Sequence, residues 1–484
     1  SIKRSAELYL DAVEQAIATS AMNDGLEDGT YIIDSKGNLK YKDKTIKVDV
    51  KNYNFESGTV IIEQGQIKDI KLSNNEKVTT GKELNKIDKW DGKTVTEVTA
   101  DSNGIYHITK ASELAWVAQK VNSGEPFEGK TISLDASLDL GGRYDKDGNK
   151  LGTEWTPIGI KKSADEIFPF KGTFEGNNNV ISGIYINKPL EESLENQHLG
   201  LFGYVDTSTI NNLTIKNSYI EGYSNIGVVC GRVVNGSNIK NMVASNIYVN
   251  AIKASGIVVG ATNTNVSLSN LYSYNSKIYG NGLYIGGVVG VLQNASSLNN
   301  AYSNSIVSNI SDGRLTATGG ILGGISSKSV GNNLVSETIV SSGSGLGGIV
   351  GQLQKNSKLI NSISYASVHG VNYIGGVVGM SSGTEIGNTL ENIKSYAEIQ
   401  GSGEYIGGVN GCLSSGVNNF TNIYSEVIVR GKDKVGGIIG GFIESYETTL
   451  NYKNIVSEAT VEGETNKGEL WGYVDAKTVL NSLD

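Results

Sequence analysis

Cysteine, histidine, basic charge and long apolar runs are all scarce in this 484-residue chain, and each shortage removes a class of protein. Two cysteines, Cys230 and Cys412, are too few for a disulfide-framed scaffold. The three histidines, His107, His198 and His369, stand apart with no HExxH or other ligand spacing, which removes a zinc peptidase and leaves them as surface or turn residues. With 41 Lys and Arg against 50 Asp and Glu, the net charge is -9, so no basic stripe is available for a phosphate backbone and nucleic acid is not an expected partner. No window of about 18 uncharged apolar residues exists to span a membrane. The opening SIKRSAELYL is neither a signal peptide nor an initiator context, so the chain reads as a processed or truncated product.

What is abundant is glycine, at 62 residues against 4 prolines, together with Asn, Ser, Ile and Val. That is a strand-and-turn vocabulary. YIGGVVG occurs twice, at Tyr284 to Gly290 and Tyr373 to Gly379, and relatives of it end at Gly203, Gly231, Gly260, Gly323, Gly351, Gly411, Gly440 and Gly472. The spacing averages close to 30 residues. A second landmark keeps step: Asn212, Asn241, Asn270, Asn300, Asn333, Asn361, Asn392, Asn422 and Asn454.

Each unit offers about three short strands and no helix-length segment, which excludes βα repeats. A parallel β-solenoid buries such units, with every coil stacked on the next at about 4.8 Å. In-register stacking turns the nine Asn into a structural ladder, each amide bonding its neighbours along the axis. The glycines are expected where the backbone needs a positive φ or leaves no room for a Cβ. Ten copies cannot each open a helix and no Lys-Ser or Lys-Thr follows, so the Gly clusters are not phosphate loops.

GLFGYV at Gly200 to Val205, TINNLTIKNSYIEG after it and the iterated IGGVVG clusters resemble the GLUG repeat of bacterial surface proteins, including non-catalytic regions of streptococcal immunoglobulin A peptidases. The upstream run ITKASELAWVAQKVNSGEPFEGKTISLDASLDLGG, then WTPIG and FKGTFEGNNNVISGIYI, fits the same grouping, so the resemblance covers about residues 104 to 475. It implies a right-handed β-helix displayed outside the cell, and no reaction. ASELAWVAQKVNSG reads as a helix with Leu114, Val117, Ala118 and Val121 on one face. Thr109 or Ser112 starts it and Gly124 ends it, as an N-terminal cap on the solenoid. LWGYV, Leu470 to Val474, is expected to close the other end.

Residues 1–90 lack the repeat. Helix 5–22 places Ala6, Leu10, Val13 and Ile17 on one stripe, and strand-like segments follow, the last a hairpin turned at Gln64-Gly65. One helix before a small antiparallel sheet is similar to type IV pilins and pseudopilins, especially those of clostridial bacteria. The resemblance implies other pilin subunits as partners through the helix, and membrane contact only through an apolar first half upstream of Ser1.

The fold class is therefore mainly β: a right-handed parallel β-helix of about ten coils preceded by a small α+β pilin-like domain. The expected divisions are 1–90, then 91–198 as cap and irregular first coils, then 199–484 as the repeat.

Chemistry is harder to find. The two thiols, six coils apart, are expected to be unpaired packing residues. Glu337, Glu398, Glu426 and Glu458, with Asn304, recur at related places and read as an exposed acidic face. DKDGN, Asp145 to Asn149, resembles a calcium loop but carries Lys150 where the sixth position needs Gly, and reads as a turn. No catalytic residue, cofactor or metal is expected.

Tyrosine outnumbers phenylalanine 24 to 8. Tyr272, Tyr302 and Tyr424 fall two residues after a ladder Asn, and Tyr274, Tyr365 and Tyr396 four after. Residues two apart on a strand share a face, so Tyr272, Tyr302, Tyr396 and Tyr424 are the candidate ligand-binding stripe, for a host or environmental glycan or protein. The reading that follows is an extracellular, non-enzymatic binding module, a minor pilin or pilin-like adhesin. The alternatives are a β-helix enzyme cleaving polysaccharide and a structural spacer.

Overall fold

The computed structural model describes residues 2–63, 65–74, 77–80, 87–311, 314–444 and 446–484, with the backbone alone at 22 and 77–80. It is 55% strand and 8% helix. Two α-helices lie among the described residues: α1, Ile2–Asn23, and α2, Ala111–Asn122.

α1 buries Ala6, Tyr9, Leu10, Val13 and Ile17, the spacing of one helical face. They pack on Tyr31, Ile33, Leu39, Val60, Ile62, Ile70 and Leu72. These belong to a six-stranded sheet in the order Lys44–Ile46, Leu39–Tyr41, Gly29–Ile33, Ser57–Glu63, Gln66–Asn74, Lys77–Thr80, antiparallel throughout. Burying each large side chain there contributes roughly 1.5–3 kcal/mol, which a 22-residue helix cannot supply from propensity alone. The expected hairpin is present in the pairing of Ser57–Glu63 with Gln66–Asn74, while Gln64 itself lies outside the described residues.

The remainder is a parallel β-solenoid of about 12 turns, against the ten expected from the Gly anchors. The additional turns come from the irregular region. Ile105–Ile108, Thr131–Leu134 and Thr173–Ser182 pair in parallel and run into the first regular strand, Thr209–Ile226. Glycine did not mark these coils because aromatic residues fill them: Trp155, Phe170, Phe174 and Phe202 are all buried.

Register makes the core. Ile132, Phe174, Ile210, Ile239, Leu268, Leu298, Gly331, Leu359, Leu390 and Phe420 form one inward ladder through ten successive coils. Every large side chain in it is fully buried. The core ladder follows from strand alternation, because the residues between point outward.

α2 covers the first end, burying Leu114, Trp116, Val117 and Val121 among others. Its start differs from expectation. Neither Thr109 nor Ser112 is the N-cap. Lys110 holds that place, its N–H donates to the Glu113 carboxylate at 2.9 Å, and Asp88 from a neighbouring strand accepts the Ala111 N–H at 2.8 Å. A carboxylate at a helix N-terminus is favoured by the dipole, so Asp88 performs what a local hydroxyl was expected to do. Gly124, at φ 108, ends the helix region.

LWGYV is not the last element. Trp471–Tyr473 pairs with Ile439–Phe442, and Thr478–Ser482 then lays one further strand on Thr448–Tyr452. Leu470, Trp471 and Leu480 at this end are only partly buried.

Candidate functional site

The two YIGGVVG copies sit in the wall of the solenoid, and the structure separates two roles that the sequence merged. The glycines of the pair do not have positive φ. A Cβ on Gly287 would fall on the carbonyl oxygen of Gly320 in the next coil, and one on Gly376 on that of Gly408. Lack of space requires them. The positive φ belongs instead to the tyrosine before each pair, Tyr284 at φ 68 and Tyr373 at φ 58, and to every Asn of the ladder, between φ 51 and φ 64. Asn tolerates this left-handed backbone because its short amide bonds locally.

The ladder side chains form two relays. Asn212 donates to Glu175 at 3.0 Å, Asn241 to Asn212 at 2.7 Å, Asn270 to Asn241 at 2.7 Å and Asn300 to Asn270 at 2.8 Å. The second relay runs from Asn454 through Asn422, Asn392 and Asn361 to Asn332 and Asn299, at 2.9 to 3.1 Å. Asn333 keeps its place in the backbone corner, at φ 57, but its neighbour Asn332 carries the relay. A second, shorter ladder, Asn419, Asn451 and Asn481, was not singled out in the sequence. Its signal was a third Asn in step with the repeat.

The four candidate tyrosines do not make one stripe. Strand register puts Tyr272, Tyr302 and Tyr424 in one outward column, interrupted by Val335, Ile363 and Lys394. Tyr396 follows its strand by one residue and stacks with Tyr365 at 5.4 Å and 11°. The columns touch where Tyr396 meets Tyr424 at 6.0 Å and Tyr274 meets Tyr302 at 5.5 Å. The Tyr365–Tyr396 rings are stacked, whereas the two contacts between the columns are tilted, at 58° and 41°. Tyr365 and Ile339 are each 49% exposed and Ile428 44%, so the face mixes phenols with aliphatic patches.

The hydroxyls are engaged. Tyr272 Oη accepts from Asn300 at 2.8 Å, and Tyr302 donates to Glu337 at 2.9 Å. Burial and that bond push the Tyr302 phenol up to about 12. Tyr424 Oη lies 3.0 Å from both Glu426 and Glu458, and the bond to Glu458 first and burial next raise its pKa. Glu337 and Glu426 therefore lie beside the tyrosine columns, whereas Glu398 belongs to a different strand position, opposite Ile428.

Tyr272 and three ladder residues, Asn241, Asn270 and Asn300, line one shallow hollow of about 260 Å³ with Asn178, Thr214 and Val243. It offers amides, a hydroxyl and a phenol.

The histidines depart from the surface reading in one case, His198, while His107 and His369 are exposed. His107 stands between Asp101 at 2.7 Å and Asp135 at 2.6 Å, and these two bonds raise its pKa. His198 is buried at φ 59, and desolvation, with Arg232 and Lys161 nearby, lowers it to about 3. His369 lies on the exposed strand Ser367–Gly370, its Nε2 3.0 Å from Ser367 Oγ.

Cys230 and Cys412 are both free and buried, and burial raises both thiols. Cys230 points into the core column above Val259, and Cys412 packs outside it with Met380 and Tyr405. Asp145 accepts from the Asp147 and Asn149 N–H groups at 2.9 Å, the geometry of a turn. Among the described residues no group of three or more His, Cys, Asp or Glu is arranged to hold a metal ion, and no helix is long and apolar enough to cross a membrane.

No protein-family model matches the chain, and no curated protein matches it. The functional reading therefore rests on the geometry just described.

Proposed function

We propose that the chain is a binding module displayed outside the cell, in which the solenoid presents an outward face and the α+β unit serves as its base. The observation that carries the reading is the hollow where Tyr272, Asn241, Asn270 and Asn300 converge, continued along the solenoid by the tyrosine columns. Amides and phenols on a rigid sheet suit hydroxyl-rich or peptide ligands, and repetition along the axis suits multivalent, individually weak contacts. Because the face mixes tyrosine with the exposed Ile339 and Ile428, a protein ligand fits the tyrosine columns better than a sugar.

The finer identity is also a proposal: a right-handed β-helix of the GLUG-repeat type on a pilin-like base, joining other pilin subunits through α1 in a minor pilin or adhesin. The repeat period and the helix-on-sheet packing of the base support it. A sequence upstream of Ser1 carrying a prepilin cleavage site and an apolar helix would favour it. A secretory signal peptide there would remove the filament part.

A second reading, a polysaccharide-cleaving enzyme, draws on Glu426 and Glu458, two carboxylates that both meet the Tyr424 hydroxyl at 3.0 Å. Both are exposed in the links that follow their strands, and neither lines the hollow. Release of reducing ends from a polysaccharide panel, lost in Glu458→Gln, would establish that reading. Retention of a panel ligand without cleavage supports the binding module.

A further inference from the structure

The base and the solenoid have separate hydrophobic cores, one running from Ala6 to Leu72 and the other from Val98 to Leu450. Where α1 lies on the solenoid, polar side chains meet across the junction. Gln15 Nε2 donates to Ser245 Oγ at 3.0 Å, Thr19 Oγ1 donates to Asn246 Oδ1 at 3.3 Å, and Lys277 Nζ donates to Asn23 Oδ1. Beside them is a cavity of about 700 Å³, with Asp11, Glu14 and Ala18 on the helix side and Asp139, Arg143 and Lys216 on the solenoid side. A charge gained or lost in the cavity acts directly on this junction.

Glu14 is half-buried there, with no hydrogen bond or ion pair among the described residues. Across the cavity Arg143 clamps Asp139 through bonds of 2.6 and 3.0 Å, which leaves Lys216 as a cation facing Glu14. Asp11 opposes Glu14 from its own helix. Lys89 of the solenoid and the Glu63–Lys68 pair of the sheet, at 2.6 Å, complete the charged lining.

We propose that this junction is an acid-closed latch: with Glu14 protonated α1 seats on the solenoid, and with Glu14 ionised the seat loosens, so pH sets how firmly the solenoid is held to its base. Desolvation, then Asp11, outweighs Lys216 and pushes the seated Glu14 up to about 7 from 4.5. The seated state therefore binds a proton that the open state gives up. Seating is strongest below the ordinary carboxylate value and weakens as pH rises through about 7. One proton changes the seating constant by at most about tenfold per pH unit. The inference is independent of what the outward face binds.

The test uses the full chain with spin labels at Lys42→Cys and Lys240→Cys, both exposed sites, the native thiols being buried. Pulsed-EPR distances are recorded from about pH 5 to about pH 9. The latch predicts one narrow distance in acid and a longer or broader population that grows as pH rises toward about 7 and levels off above it. Glu14→Gln should stay narrow throughout. Lys216→Gln, which removes the cation that favours ionised Glu14, should move the midpoint to higher pH. A distribution in the parent that ignores pH, or a pH response that survives Glu14→Gln, overturns the proposal.

Discussion

Two columns of left-handed backbone run the length of the solenoid, and they are filled in opposite ways. The first is all Asn from Asn212 to Asn454, at φ 51 to 64. The second contains His198, Asn225, Ala254, Tyr284, Ala317, Gly345, Tyr373, Tyr405, Lys434 and Asn466, at φ 42 to 80. A non-glycine residue in this region costs roughly 1–2 kcal/mol. In the Asn column the side chain itself offsets the cost through relay bonds to neighbouring coils, except at Asn333, where the neighbouring Asn332 carries the relay. In the second column the offset is packing on the outside of the wall. Tyr284 lies over Gly324, where a Cβ would meet its ring at 2.7 Å, and Tyr405 lies over Gly441 and stacks with Tyr373 at 5.3 Å. One backbone requirement therefore leaves a strict sequence signature when local chemistry meets it, and a loose one when tertiary packing does.

The sharpest way to break the comparison is to attack the Gly bend between the columns, where neither side chain can help. In Gly376→Ala the new methyl falls on the Gly408 carbonyl oxygen and 2.5 Å from Ser395 Oγ. A loss above about 4 kcal/mol is expected, seen as loss of cooperative urea unfolding. A stable Gly376→Ala would mean that the Gly pairs are not set by space.

Next comes His198, which opens the second column buried and neutral. Its folded pKa of about 3 lies below the ordinary value of 6.5, so the unfolded chain binds the extra proton between them. Stability is full above pH 6.5 and falls as pH drops toward 3. The contribution lost by pH 4 is on the order of 2–3 kcal/mol. Urea midpoints of the parent should fall through that window, and His198→Asn, which keeps a residue suited to this backbone, should flatten the slope.

Asn392 tests the first column directly. Asn392→Ala loses two relay bonds and gains backbone strain, for about 2–3 kcal/mol, whereas Asn392→Gly keeps the backbone easy and should cost about half as much. Equal losses for the two variants would remove the backbone half of the argument. The smallest effect is expected at Ala317, buried at φ 49 with no amide to bond outward. Ala317→Gly should stabilise by about 0.5–1 kcal/mol in the same urea titration, because strain is relieved and little packing is lost.

The same contrast explains what could be read from the sequence. The Asn column and the Gly pairs recur at a fixed period, so the stacked solenoid, the ladder and the inward Val and Ile were legible. The first coils were not counted, because Trp155, Phe170 and Phe174 fill them without Gly or Asn in step. Asp88 capping α2 from another strand is a long-range contact with no local signature. The second left-handed column was hidden by its mixture of Tyr, Ala, His and Lys. At the candidate site, the outward direction of Tyr272, Tyr302 and Tyr424 followed from strand alternation. The offset of Tyr396 into a second column, the convergence of three Asn on Tyr272 and the relay shift to Asn332 depend on where each strand ends, which the repeat spacing does not specify.

The most direct measurement compares the parent chain with a Tyr272→Ser, Asn270→Ser double variant on an array of glycans and extracellular proteins, with thermal unfolding recorded for both. The account predicts a ligand retained by the parent and lost or weakened at least about tenfold in the variant, about 1.4 kcal/mol of binding. Equal binding by the two chains, or a blank array for the parent, would contradict it.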